Sequence, residues 1–503
     1  MAKTIFGTSE KSNFIVNMTP QQLRRYCCNG LLIALALGFA SMWLFDLTLN
    51  AEGELAEQML EGNLLANLVV ALRTYSSAFA IGGVLAMILA IIGISKQQYS
   101  KKDICLPGCL CGAILLLGAI SFLICYNYND GFFGQYGRNE GLLALIFYVC
   151  FFFTGTLLRA EQTIIRFLNG VTVLGLAGCF WALLQSLPIE AIPSSFQKLE
   201  PILLERVFLP SGLTGNPVAF AMLLTMLGAV SITAAFFAQE KKLRLFHTIS
   251  AAVFCFFLLK TQCLAALIGA AILLIGAVVL ILVKKNAAAP LPKLGALIAV
   301  MLCSVLLSAF APSINNTRTI GDHVPAENGY VLHDGAIVWA DGFYRLKTAG
   351  PYSLRKADGW EIQSAPAVHG YLSGEAVSII KKYPLLGTGA DNYTYALLST
   401  SAEVSYNPNL ADRPYNDLLY IAATRGIPSL LCYLALTVIA LVRACRSGKQ
   451  TKRWIFPALI FSISGYLLTS ICGISVILVA PLFWTLLGIA CGPVDEEKTE
   501  PGK

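Results

Sequence analysis

The chain has 503 residues, 56% of them hydrophobic and only 13% charged, with a mean hydropathy of +0.68. That is far more apolar than a soluble domain, and it excludes an ordinary water-soluble enzyme. The formal charge of +7 follows from membrane topology, as shown below, so no nucleic-acid partner is implied.

In chain order, the polar stretch Met1–Arg25 ends in Arg24-Arg25. The run from Cys27 onward lacks a small-residue cleavage site, so it reads as a first membrane helix and not as a removable signal. A hydrocarbon core needs about 20 apolar residues per helix. Runs near that length fall at 27–49, 68–94, 104–125, 142–158, 167–187, 218–238, 246–263, 264–283, 294–311, 426–442, 454–471 and 473–491. Irregular backbone cannot face lipid, so these runs are expected to be helices of an all-α polytopic membrane protein. The pair 246–263 and 264–283 is split because one helix of that combined length would be too long for a bilayer.

Basic residues follow the even-numbered runs: Lys96, Lys101 and Lys102; Arg159 and Arg166; Lys241, Lys242 and Arg244; Lys284, Lys285 and Lys293; Arg443 through Arg453. The positive-inside rule makes these exits cytoplasmic and puts both termini inside. The expected organisation is then 1–311 for the first nine helices and 312–425 for a large extracytoplasmic loop. Residues 426–491 form the last three helices, and 492–503 a cytoplasmic tail. The loop is too long for a mere connector. Its first part alternates and carries Asp334-Gly335, Asp341-Gly342 and Asp358-Gly359, which predicts short hairpins. Its second part predicts two helices, 371–383 and 415–425. The loop aromatics Trp339, Tyr344, Tyr352 and Trp360 suit a small hairpin core or an interface belt, with sugar stacking as the alternative.

The cysteines fall mostly inside apolar runs, and none lies between Cys303 and Cys432. Cys105, Cys109 and Cys111 have no histidine partner and open an apolar helix, which fits small polarizable filling better than a metal site.

Four motifs share the outer side: Phe132-Phe-Gly-Gln-Tyr-Gly-Arg138-Asn-Glu-Gly141, Arg206 through Gly215-Asn216-Pro217, Tyr383-Pro-Leu-Leu-Gly-Thr-Gly-Ala-Asp-Asn-Tyr393, and Arg413-Pro-Tyr415-Asn416 followed by Gly426-Ile-Pro. In order and spacing the set resembles the bacterial O-antigen ligase and O-antigen polymerase family, over about residues 126–491. The resemblance implies glycan transfer on the outer side of the bacterial cytoplasmic membrane. The donor would be a glycan on a polyprenyl pyrophosphate, and the acceptor a saccharide, a lipid-linked saccharide or a protein hydroxyl, with no metal or cofactor. Growing charge on a pyrophosphate leaving group calls for cationic donors, and arginine's planar fork suits that task. A base must take the acceptor's proton.

By the resemblance, Arg206 and Arg138 match family arginines, and Arg206 is the expected pyrophosphate contact. Asn216 and Pro217 read as a helix start, with asparagine as cap and proline presetting the first turn. Two positions depart from the pattern. Tyr415 stands where the family has histidine before Asn416, and a tyrosine with its ordinary pKa near 10 is a poor base at neutral pH. Leu264 stands where a second arginine is common, and Lys260 or Arg413 would then supply the charge. Other candidates for the base are His369 and Glu375, on or beside the outer helix 371–383; Asp391, Asp412 and Asp417 also lie outside. His247 is on the cytoplasmic side, and His323 and His333 lie in the hairpin region. The competing readings are a catalytically impaired relative that binds lipid-linked glycan or a partner enzyme, and a secondary transporter. A transporter would carry inverted repeats and mid-membrane charges, which the sequence does not display.

Overall fold

A computed structural model describes residues 17–48, 75–99, 101–135, 138–186, 210–261, 263–283, 291–310, 365–400, 413–451 and 453–493. It also gives short strands at 197–200, 205–208, 318–319, 330–333 and 336–339. The helices are α1 (Pro20–Thr48), α2 (Tyr75–Ser95), α3 (Lys101–Leu123), α4 (Tyr128–Phe133), α5 (Leu142–Gly155), α6 (Glu161–Gln185), α7 (Pro217–Phe237), α8 (Lys241–Lys260), α9 (Leu264–Val283), α10 (Leu291–Phe310), α11 (Ala365–Lys382), α12 (Tyr393–Thr400), α13 (Asp417–Thr451), α14 (Ile455–Ser470) and α15 (Ala480–Cys491). The protein is a helical bundle of membrane type. Eight of these helices are long and apolar enough to cross a bilayer, and four more apolar helices are shorter, at 10–17 residues.

Among the described residues, eleven of the twelve apolar runs read from the sequence lie largely on one helix each, and α8 and α9 are separate as the length argument requires. Helix α7 shows why the bundle packs. It is apolar on every side and 94% of its core window is buried, with α6, α8, α9 and α14 around it. Lipid supplies no hydrophobic drive between helices, so close approach rests on small residues. At the α5–α15 crossing a Cβ on Gly488 would meet the Phe152 carbonyl oxygen at 2.1 Å, and one on Gly155 would meet that of Thr485 at 2.5 Å. Asn216 caps α7 as expected: its side chain accepts from the backbone N–H groups of Val218 (2.8 Å) and Ala219 (3.4 Å), with Pro217 at the first turn.

Several expectations need correction. The final run does not form one helix: residues 471–479 are turns and irregular backbone, and α15 begins only at Ala480. The expected helix 371–383 begins earlier, at Ala365, so His369 lies within α11 and not before it; α12 was not foreseen. The predicted outer helix 415–425 and membrane helix 426–442 both form, as the two arms of α13 on either side of a kink at Gly426 (φ 82°, ψ 162°), the first starting at Asp417 and the second running on to Thr451. That break coincides with the expected boundary between loop and membrane helix. Strands β4 (Tyr330–His333) and β5 (Ala336–Trp339) pair antiparallel, as the first hairpin predicts. The segment before α7 adds an unforeseen sheet, β1 (Gln197–Glu200) with β2 (Glu205–Phe208), and β2 with β3 (Arg318–Thr319). All three Asp-Gly pairs, Tyr344, Tyr352, Trp360, Asp412 and His323 lie outside the described residues.

Candidate functional site

The loop before α5, the turn 387–392, the approach to α13 and the irregular stretch 471–479 converge at one end of the bundle. Two backbone features fix the turn. Tyr383–Thr388 folds back on the kink in α13, where the Ile427 N–H donates to the Pro384 carbonyl (2.8 Å). The N–H groups of Thr388 and Gly389 donate to the carbonyls of Ala423 and Thr424 (3.1 and 2.9 Å). The kink would otherwise leave those carbonyls unmet, so turn and kink satisfy each other. The Ser121 hydroxyl of α3 joins them, donating to the Thr424 carbonyl and accepting from the Gly389 N–H.

The turn delivers Asp391 to a buried charge cluster. Asp391 accepts from the backbone N–H of Gln135 (2.7 Å), the N–H of Glu140 (3.2 Å) and the hydroxyl of Tyr420 (2.7 Å). Arg413 lies between two acids: its Nη1 donates to Glu140 Oε2 at 2.9 Å, and its Nη2 is 3.7 Å from Asp391 Oδ1. Nη1 also donates to the Ser475 carbonyl (2.7 Å), and the guanidinium sits 5.0 Å from the centre of the Tyr420 ring. Glu140 further accepts from the hydroxyls of Tyr148 (2.9 Å) and Ser475 (2.6 Å). Burial pushes the Asp391 carboxyl above the usual carboxylate range, while Arg413 and the Tyr420 hydroxyl oppose that rise. Three of the four non-glycine residues with positive φ among the described residues, Asn139, Asp391 and Tyr415, belong to these segments. Such strain persists only where the surroundings over-determine it.

Next to this cluster is a small cavity of about 30 Å³, lined by Glu140, Asp417, Arg425, Ser429, Tyr466 and Ser475, with Tyr148, Tyr420, Tyr433 and Trp484 as aromatic walls. Tyr148 and Trp484 stack at 6.1 Å. Carboxylates, one guanidinium, hydroxyls and ring faces together suit a polyhydroxylated ligand.

The residues read from the sequence separate. Arg413 is buried and turned toward Glu140 and Asp391, so it braces acids and is not presented to the cavity. Asn416 caps α13, its side chain accepting from the Leu419 N–H at 3.1 Å. Asn416→Ala should therefore cost about 0.5–2 kcal/mol and speed amide hydrogen exchange in the first turn of α13, with little change elsewhere. Tyr415 is half-buried with φ 50° and does not line the cavity. Arg138 is half-buried in the turn before α5, its N–H donating to the Gln135 carbonyl at 2.9 Å. Lys260 is buried at the end of α8 and lines no part of the cavity. Glu375 is half-buried on α11, also away from the cavity wall. Arg206 lies on β2 opposite Leu199 and Arg318; its side chain, like that of His369, is outside the described residues.

Sequence reasoning passed over Arg425 and Ser429, and it named Asp417 among the outer acids without singling it out. An acid in the first turn of a helix ordinarily complements the helix dipole, so that placement did not set Asp417 apart from the other outer acids. Its position one residue after the Asn416 cap was the available signal.

No protein-family model matches the chain, and no curated protein or solved structure matches it either.

Proposed function

We propose that the protein is a multi-pass glycan ligase or polymerase of the bacterial cytoplasmic membrane, with about twelve spans and both termini inside. Its active face is extracytoplasmic. It moves a glycan from a polyprenyl-pyrophosphate donor to a saccharide, lipid or protein hydroxyl. The observation that carries this reading is the cavity holding Glu140, Asp417 and Arg425 at one end of an otherwise apolar bundle. Carboxylates there can handle a hydroxyl proton, and cations can stabilise a pyrophosphate leaving group. Arg425 on the cavity wall and the half-buried Arg138 in the loop before α5 are the cations suited to the phosphates, and Arg206 on β2 is the arginine the family resemblance assigns to them. The basic exits of the even-numbered helices support the orientation.

The impaired-relative alternative rests on the departures at Tyr415 and Leu264. Asp417 supports active transfer instead, because it supplies an acid–base group at the cavity wall two residues further on.

The test is reconstitution of the full chain in liposomes with polyprenyl-pyrophosphate-linked glycans extracted from the producing cells. Acceptor-dependent release of polyprenyl pyrophosphate is expected. Arg425→Ala and Arg206→Ala should each lower kcat/KM by about tenfold or more, the loss of one charge-assisted contact. Absence of any product from the wild-type chain sinks the transferase reading and leaves a binding or transport role.

A further inference from the structure

Three buried carboxylates meet at the loop end of the bundle, and two of them are saturated. Asp391 takes hydrogen bonds from two backbone N–H groups and Tyr420, beside Arg413. Glu140 takes bonds from Arg413, Tyr148 and Ser475. Asp417 differs. It is only 6% exposed, it lines the cavity, and its carboxylate makes no hydrogen bond or ion pair among the described residues.

A second polar group shares that condition. The Ser429 hydroxyl is buried in the same wall and has no hydrogen-bond partner among the described residues. A helical serine normally back-bonds to the carbonyl four residues earlier, but α13 breaks at Gly426, between Ser429 and Arg425. Buried polar groups without partners are costly, and two of them facing one cavity indicate a ligand that completes them.

We propose that this cavity is the acceptor subsite and that Asp417 is the catalytic base that takes the acceptor hydroxyl's proton, with Ser429 hydrogen-bonding a neighbouring hydroxyl. The proposal rests on the transferase reading and adds the residue and the acceptor class. Glu140 and Asp417 together disfavour an anionic acceptor, while their lone pairs and the Trp484 and Tyr466 rings favour an uncharged, hydroxyl-rich sugar.

In the step, the acceptor O–H bond breaks and its proton passes to an Asp417 carboxylate oxygen. The acceptor oxygen forms a bond to the anomeric carbon of the donor glycan. The bond from that carbon to the pyrophosphate oxygen breaks, and its electron pair leaves on polyprenyl pyrophosphate. The proton then passes from Asp417 to water. Tyr415 has no part in the transfer.

The experiment compares wild type, Asp417→Asn, Asp417→Glu and Tyr415→Phe in the liposome assay with extracted lipid-linked glycan at saturating concentration. Asp417→Asn should lower kcat at least 100-fold, with the donor KM unchanged within about twofold. Asp417→Glu should keep measurable turnover with a displaced pH–rate profile, and Tyr415→Phe should stay within about threefold of wild type. An Asn variant within threefold of wild type, with the same pH profile, overturns the assignment while leaving the transferase reading intact. If the Asn variant does not fold, an Asp417→Glu profile identical to wild type overturns it equally. A wild-type chain without turnover removes both.

Discussion

Arg413→Ala should be the most destabilising single substitution in the loop-end cluster, at about 3–5 kcal/mol, the usual result of stripping the cation from buried acids. The guanidinium is 2% exposed and serves Glu140, Asp391, the Ser475 carbonyl and the Tyr420 ring at once. Removing it leaves two buried carboxylates close together without their shared cation, and their repulsion pushes apart the segments they join. Detergent-solubilised protein should show a clear fall in denaturation midpoint and in purification yield. A double-mutant cycle with Glu140→Gln separates causes. If uncompensated charge dominates, the double variant should recover part of the loss; strictly additive losses would show that packing dominates. Arg413→Lys should fall between, since an ammonium is a point charge and lacks the planar fork.

Gly426→Ala should be nearly as damaging, for a reason unrelated to charge. At φ 82° and ψ 162° the residue occupies backbone space open essentially to glycine alone, which costs another residue about 1–3 kcal/mol. The added Cβ would also meet the Leu385 carbonyl oxygen at 2.1 Å, and overpacking of that kind costs about 1–3 kcal/mol more. The neighbour is backbone and cannot rotate away. Either α13 straightens or the turn 384–389 lifts off, and both outcomes break the hydrogen bonds to Ala423 and Thr424. Limited proteolysis within 384–392 and faster hydrogen exchange at Gly389 report the second outcome. Unchanged protection there would mean that the kink tolerates a side chain.

The membrane helices were legible because their signal is local: a stretch of about 20 apolar residues has few alternatives in lipid. The Asn216 cap and the boundary at Gly426 were legible for the same reason, since each depends on residues adjacent in the chain. The charge cluster was not. Arg413 and Glu140 are 273 positions apart, and no pattern around either one names the other. Sequence reasoning gave Arg413 to a phosphate because it weighed an arginine's chemistry without knowing its neighbours. Asp417 was named among the outer acids but could not be ranked above them. Its burial follows from the packing of α13 against α3, α14 and α15, which the linear sequence does not display. The irregular 471–479 stretch was missed because its residues are as apolar as a helix, and hydropathy cannot distinguish a buried turn from a span.

That last stretch has a consequence for depth. Helix α15 has 12 residues, so it rises only about 18 Å, against a hydrocarbon thickness of roughly 30 Å. In the twelve-span arrangement, residues 471–479 must cover the remaining thickness as non-helical backbone. Such backbone is tolerated at that depth only where protein surrounds it or a polar cavity borders it. Ile474, Ile477, Leu478 and Val479 are enclosed by protein, while Ser475 meets Glu140 and Arg413. Under that arrangement and the proposed function, the polar cluster would lie below the headgroup plane, and a reacting sugar would have to descend to it. At that level dissolved ions approach poorly and mobile counter-charge is sparse, so the local fields are strong and only weakly screened. Raising salt in the surrounding buffer should weaken capture of charged ligands at the surface while leaving the chemical step almost untouched.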